Sequence, residues 1–314
     1  MATEIIRGAS RGRDWLRGND QPYSDEIPLV ASTSEFQGGG QYGVEVPVIN
    51  SLKVLEQTVD LLKREGLPVT RFNETLGAFL LSDNEVREML DVCRENGVGM
   101  MFALGPRPEY DRKASFYRGG FGGSQGRRVN NNDALAVTAD EAIRLTELGC
   151  RGLIFYDPGV LRMLRTMREQ GVVPAETQFK ASSHCIVSNS YTSQLYAENG
   201  ADSVTTIHDS GLPVLQEMRK HSPNLVLDIP TDVYGQKGGF IRFTEVPELV
   251  QIAAPMMLKL GASAQGHPAD PVTQATVEKR VQRVALGLEQ LERSGVKASY
   301  IGDTSLQRAL PVKA

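Results

Sequence analysis

The stretch 151–184, RGLIFYDPGVLRMLRTMREQGVVPAETQFKASSH, holds one full strand–helix–strand repeat. GLIFYD (152–157) is a short apolar run of β type. PGVLRMLRTMREQG repeats its apolar residues at helical spacing and closes on Gly171, and QFKASSH (178–184) is a second β-type run. Proline just inside the start and glycine at the end are the expected helix punctuation. Strand, helix, strand is the unit from which α/β folds are built.

The same rhythm runs outward in both directions. Strands are predicted at 44–50, 68–74, 98–105, 152–157, 178–184, 202–209, 225–232 and 255–261, with amphipathic helices between them and a final helix at about 270–293. Eight alternations over this span predict a (β/α)8 TIM barrel. A doubly wound open sheet is the competing fold, but its first turn normally carries a glycine-rich phosphate fingerprint. Here that turn reads INSLKV, which favours the barrel.

The predicted organisation is an N-terminal arm (1–43), the barrel (44–294) and a C-terminal tail (295–314), the arm packing over the domain or a neighbouring subunit. One connection is abnormally long. Residues 106–137 separate the third strand from its helix, and loops above about 15 residues are usually functional or disordered. Arg112, Lys113, Arg118, Arg127 and Arg128 lie there among Tyr110, Phe116 and Tyr117. A lid meeting an anionic group on a substrate is one reading. A solvated or oligomer-contacting insertion is the other.

Bulk composition narrows the function classes. The 314 residues are 40% hydrophobic and 23% charged, ordinary for a globular chain, and 34 basic against 38 acidic residues give a net charge of −4. That balance leaves no footprint for nucleic acid or anionic lipid. No run approaches the roughly 20 apolar residues of a membrane span, and the first 20 residues lack a signal-peptide core, so a cytoplasmic protein is expected. The 3 cysteines, Cys93, Cys150 and Cys185, have no CxxC spacing, and Cys93 and Cys150 read as buried thiols.

Alternation within strands then places the chemistry. Residues two apart share a face, so Phe179 and Ala181 outward put Lys180, Ser182 and His184 toward the axis. By the same test Asp228 and Lys259 point inward. Two lysines and an aspartate inside a barrel are either a buried salt-bridge network or the floor of a site with perturbed ionisation. Strand ends add Asn50, Asn73, Glu74, Asp157, His208, Asp209 and Asp232. Such groups suit acid–base work or a divalent metal, with Glu74 and Asp232 the metal-ligand candidates, although no HxxxH or HxH pair is present. Asp157 opens DPGVLRML and equally suits a helix N-cap.

Residues 180–218, with RGLIFYDPGVLRMLR (151–165) and SDNEVREMLDVCRENGVGMMFALG (82–105), resemble the collagenase-like peptidase family of barrel proteins. The resemblance spans roughly residues 44–260. It implies a peptidase-like hydrolase in which Asp157 and Ser182 stand at the family's aspartate and serine. Asp209 stands at the glutamate of its REL motif, with His208 at that motif's arginine. The family's cysteine-bearing motif after strand seven is replaced by DIPTDVYGQKGG, so no iron–sulfur cluster is expected.

Three functions follow. The first is an acid–base or divalent-metal-assisted hydrolase of amide or related C–N bonds in a small or peptide-like, anionic substrate. His184 and Asp209 would be base or ligand, and Ser182, His208, Asn50, Arg127 and Arg128 would hold the substrate. The second is a Schiff-base lyase or aldolase using Lys180 or Lys259. The third is a non-catalytic complex-forming protein, with the arm supporting a homo-oligomer.

Overall fold

The computed structural model describes residues 5–25, 27–105 and 128–313. Eight parallel strands close on themselves in sequence order: β1 (Tyr42–Pro47), β2 (Arg71–Asn73), β3 (Gly99–Ala103), β4 (Gly152–Phe155), β5 (Gln178–Ala181), β6 (Ser203–Thr205), β7 (Val226–Pro230) and β8 (Met256–Lys259). Closure is made by β1 against β8, with Tyr42 opposite Met256 and Glu45 opposite Lys259. All eight predicted strands are present, each shorter than its apolar run because the final residues bend into the loops that carry the site.

Among the described residues the α-helices are α1 (Ser10–Gly18), α2 (Leu52–Arg64), α3 (Asp83–Glu95), α4 (Asn132–Glu147), α5 (Pro158–Glu169), α6 (Ser190–Glu198), α7 (Leu212–His221), α8 (Val246–Ala253) and α9 (Gln274–Ser294). Their starts are fixed by side-chain caps. Ser51, Ser82, Asn131, Asp157, Asn189 and Thr273 each accept a hydrogen bond from a backbone N–H in the first turn. Between the helices and the barrel lies the main core. Outward residues Val44, Phe72, Phe102, Phe155, Phe179, Leu227 and Leu258 all belong to it, and burying each stabilises by about 1.5–3 kcal/mol.

Inside the barrel the alternate positions follow a different rule. Its base is apolar and is stoppered by residues from outside the sheet. Phe36 and Ile301 pack on Val226 and Met257, and Ala309 packs near Met101 and Ile154. The tail therefore returns to the barrel: Met100 N–H donates to the Ala309 carbonyl, and Tyr42 pairs with Tyr300. Gly99 is required there, because a Cβ would come within 1.6 Å of the Arg308 carbonyl oxygen. Above this stopper the interior becomes charged.

The arm lies on its own barrel. Ile6 and Gly8 donate to Gln251 and Glu248 of α8, and Val30 N–H donates to Gln216 of α7. Helix α1 buries none of its residues, which is why no core-facing stripe announced it. Residues 106–127, most of the expected lid, lie outside the described residues, Arg127 among them. Helix α4 begins at Asn132, earlier than the apolar pattern indicated. No helix of the described residues is long and apolar enough to cross a membrane.

Candidate functional site

Five charged side chains from five strands meet on the barrel axis. Glu45 (β1), Arg71 (β2), Lys180 (β5) and Asp228 (β7) are at most 1% exposed, and Lys259 (β8) is 18% exposed at the side chain. Arg71 donates through Nε to Glu45 at 2.7 Å and through Nη2 to Asp228 at 2.7 Å. Its Nη1 donates to the Gln307 carbonyl at 2.9 Å, tying the cluster to the tail. Lys180 Nζ donates to both Glu45 oxygens and stands 3.1 Å from Asp228 Oδ2. Asn73 donates to Glu45 at 2.6 Å, and Lys259 Nζ lies 3.5 Å from Glu45 Oε1.

Burial alone would raise the Glu45 carboxyl, yet Lys180, Arg71 and Lys259 together hold it well below the carboxylate range. Burial draws Lys180 down to about 8, against the pull of Asp228 and Glu45 and with the help of Lys259 and Arg71. The cluster is thus three cations around two carboxylates.

A cavity opens above it at the C-terminal mouth, lined by Lys180, Lys259, Ser182, Ser183, His184 and His208, among others. Lys180, Asp228 and Lys259 are where strand alternation placed them. His184 also reaches the cavity, although β5 ends at Ala181 and a 3₁₀ turn carries it there. Its Nε2 lies 3.2 Å from Lys237 Nζ, and its ring meets that of Tyr156 edge-on at 6.1 Å. Burial, then the charges of Lys237 and Lys259, push His208 down to about 3, so its imidazole is neutral at physiological pH.

The strand-end carboxylates serve their own loops. Asp157 caps α5 through Val160 N–H at 3.0 Å and accepts from Val129 N–H at 2.9 Å. Glu74 accepts from the N–H groups of Leu76, Gly77 and Ala103. Asp232 accepts from Gly261 and Ser263 N–H, each at 2.7 Å, and burial raises its carboxyl. Asn50 accepts from Thr75 and donates to the Pro268 carbonyl, joining three top loops. Asp209 is exposed and borders a shallow surface depression with Ile27 and Arg242 instead of the cavity. Strand β6 ends at Thr205, so the alternation that would have turned Asp209 inward no longer applies. Arg128 acts electrostatically on Cys185 and Tyr196 and is not among the cavity-lining residues.

Glu74 and Asp232 have both carboxylate oxygens engaged by backbone N–H groups, and no three His, Cys, Asp or Glu converge to hold a metal among the described residues. Both carboxylates thus serve their own loops, and among the described residues no third such ligand joins them. The three thiols are buried, and burial pushes those of Cys150 and Cys185 up to about 12. Glu45 and Arg71 are the site residues that sequence reasoning missed.

No family model matches the chain, and no curated protein matches it. Solved structures do resemble it. The YdjI aldolase of Escherichia coli K12 is 11% identical, over 80% of this chain and 90% of that one, with a TM-score of 0.46. A 3-keto-L-gulonate-6-phosphate decarboxylase of Vibrio cholerae is 11% identical, over 81% and 98%, with a TM-score of 0.47. A U32 peptidase is 13% identical, over 91% and 95%, with a TM-score of 0.42. At such values they are likenesses of the barrel and assign no activity.

Proposed function

We propose that the chain is an imine-forming enzyme, a Schiff-base lyase acting on a small carbonyl compound, with Lys259 as the nucleophile. One observation carries this reading: the axial cluster holds one cation more than it has carboxylates, and every member but Lys259 is buried. An uncompensated buried charge is costly, and its cheapest relief is loss of a proton. Arginine does not give one up, so a lysine must. The uncharged amine that results is the form that attacks a carbonyl carbon.

Lys259 is the lysine a substrate meets, being the more exposed and held by one ion-pair contact where Lys180 is held by three. Both amines reach Glu45 Oε1. A proton can therefore pass from Lys259 across Glu45 to Lys180 in its uncharged form. The Lys259 nitrogen then adds to the carbonyl carbon, and the carbonyl oxygen leaves as water. His184 and neutral His208, at the cavity, are placed to move protons on the bound compound.

Borohydride reduction in the presence of pyruvate or glyceraldehyde is the test. An adduct on Lys259 by peptide mapping, lost in Lys259→Met, is the expected result. No adduct on either lysine with a panel of small aldehydes and ketones ends the proposal.

A second reading, a hydrolase of amide or C–N bonds, is favoured by His184 and Ser183 beside Lys237 on the same cavity. His184→Ala abolishing amide cleavage that Lys259→Met leaves intact would select it.

A further inference from the structure

We propose that Arg71 is a positioning residue of this site: its permanent charge compels the lysine pair to surrender a proton and so fixes the pH at which an uncharged amine faces the cavity. This rests on the lysine reading above and extends it to a residue that cannot touch substrate. Arg71 is 1% exposed beneath the two lysines, and it is absent from the cavity lining.

Around the lysines stand Glu45 from β1, Arg71 from β2 and Asp228 from β7, with the neutral hydroxyl of Ser203 from β6 3.4 Å from Arg71. The inward residues of β3 and β4, Met101, Ala103 and Ile154, are apolar. Nearer the mouth are Glu74, Asp232, His184, His208 and Lys237. Glu74 and Asp232 direct their carboxylates to backbone amides of the top loops, and His208 is neutral. Lys237 is engaged with His184 and Ser183. Asp202 also acts on Arg71 through space, but it is paired with Arg168 at 2.9 Å. On the axis itself, then, two carboxylates face three cations, and only two of those cations can lose a proton. With Arg71 gone, two lysines face two carboxylates, and Lys180 holds its proton more tightly. With a carboxylate gone, the excess rises to two, and a lysine is released at lower pH.

The two substitutions thus push the titration in opposite directions, which a merely structural role for Arg71 would not do. The experiment is ¹³Cε-lysine NMR of the whole chain without substrate, with the two signals assigned by Lys180→Met and Lys259→Met. Wild-type protein is expected to show an axial lysine titrating near 8. In Arg71→Met the midpoint should rise above the wild-type value, yet stay short of the ordinary value of about 10.4, because burial, the largest cause of the depression, remains. In Asp228→Asn it should fall below the wild-type midpoint. If Arg71→Met does not fold, Arg71→Gln, which removes the charge but keeps hydrogen-bonding groups, takes its place, and an unshifted or lowered midpoint there overturns the proposal. Wild-type lysines that both stay protonated above pH 10, or variants shifting the same way, overturn the proposal. The titration needs no carbonyl compound. Normal shifts without borohydride trapping would refute the lyase reading and leave Arg71's role standing, while trapping without shifts would do the reverse.

Discussion

Replacing Arg71 by methionine should be among the most destabilising single changes in this chain. Methionine fills most of the space, so the cost is electrostatic and not a cavity. The guanidinium makes two 2.7 Å charge-assisted bonds, to Glu45 and Asp228, and a 2.9 Å bond to the Gln307 carbonyl. Without it Asp228 keeps a single cation, Lys180 at 3.1 Å, while Glu45 keeps both lysines. Removing one partner of a buried ion pair costs about 3–5 kcal/mol. Because the remaining charges balance, the loss should lie at the lower end, about 3 kcal/mol. For a barrel of this size that corresponds to roughly 6–12 °C in Tm. Urea unfolding followed by circular dichroism at pH 7 measures it. The Arg71→Met/Asp228→Asn double variant completes a cycle whose coupling should be about 1.5–3 kcal/mol. A single-variant loss below about 0.5 kcal/mol, or strict additivity, would mean that the network contributes nothing, contrary to the geometry.

Other outcomes are equally open to measurement. His208 falls from 6.5 to about 3 on folding, so its contribution to stability is whole above pH 6.5 and drains as pH drops toward 3. His208→Gln should flatten that acid limb in urea midpoints taken at pH 7, 5 and 4, and an unchanged slope contradicts the assignment. Gly99→Ala drives a Cβ onto the Arg308 carbonyl oxygen. It should lower Tm by several degrees and open the 305–313 segment to limited proteolysis, and wild-type resistance would show the contact to be slack. Cys93, Cys150 and Cys185 are all buried, so the native chain should resist a thiol-exchange reagent at pH 8 until urea unfolds it. Rapid labelling of any one of them would refute that burial.

The parts of this site that sequence revealed are those governed by strand alternation. Lys180, Asp228 and Lys259 each sit between two outward apolar residues, and period two turns them inward whatever the loops do. Glu45 satisfies the same test, flanked by Val44 and Val46, but one charge at the start of an otherwise apolar strand looks like an edge residue until its partners are seen. Arg71 opens a strand of only three residues, too short for a pattern. Beyond the strand ends the rule lapses. Asp209 followed a strand that stops at Thr205, and it turned outward. Glu74, Asp157 and Asp232 do lie just past strand ends. Their oxygens went to backbone amides, a partner that no spacing of side chains discloses. Helix α1 escaped notice because it buries nothing, leaving no periodic stripe to read.

The tail's return to the barrel has a consequence for synthesis. Part of the floor of this cylinder, and the acceptor for one Arg71 nitrogen, come from residues 301–309, translated after the strands they seal. Until that segment has been made and seated, the Arg71 guanidinium lacks its carbonyl acceptor. Products cut short before Ser305 would carry that defect permanently and give proteases a ready handle on incomplete copies.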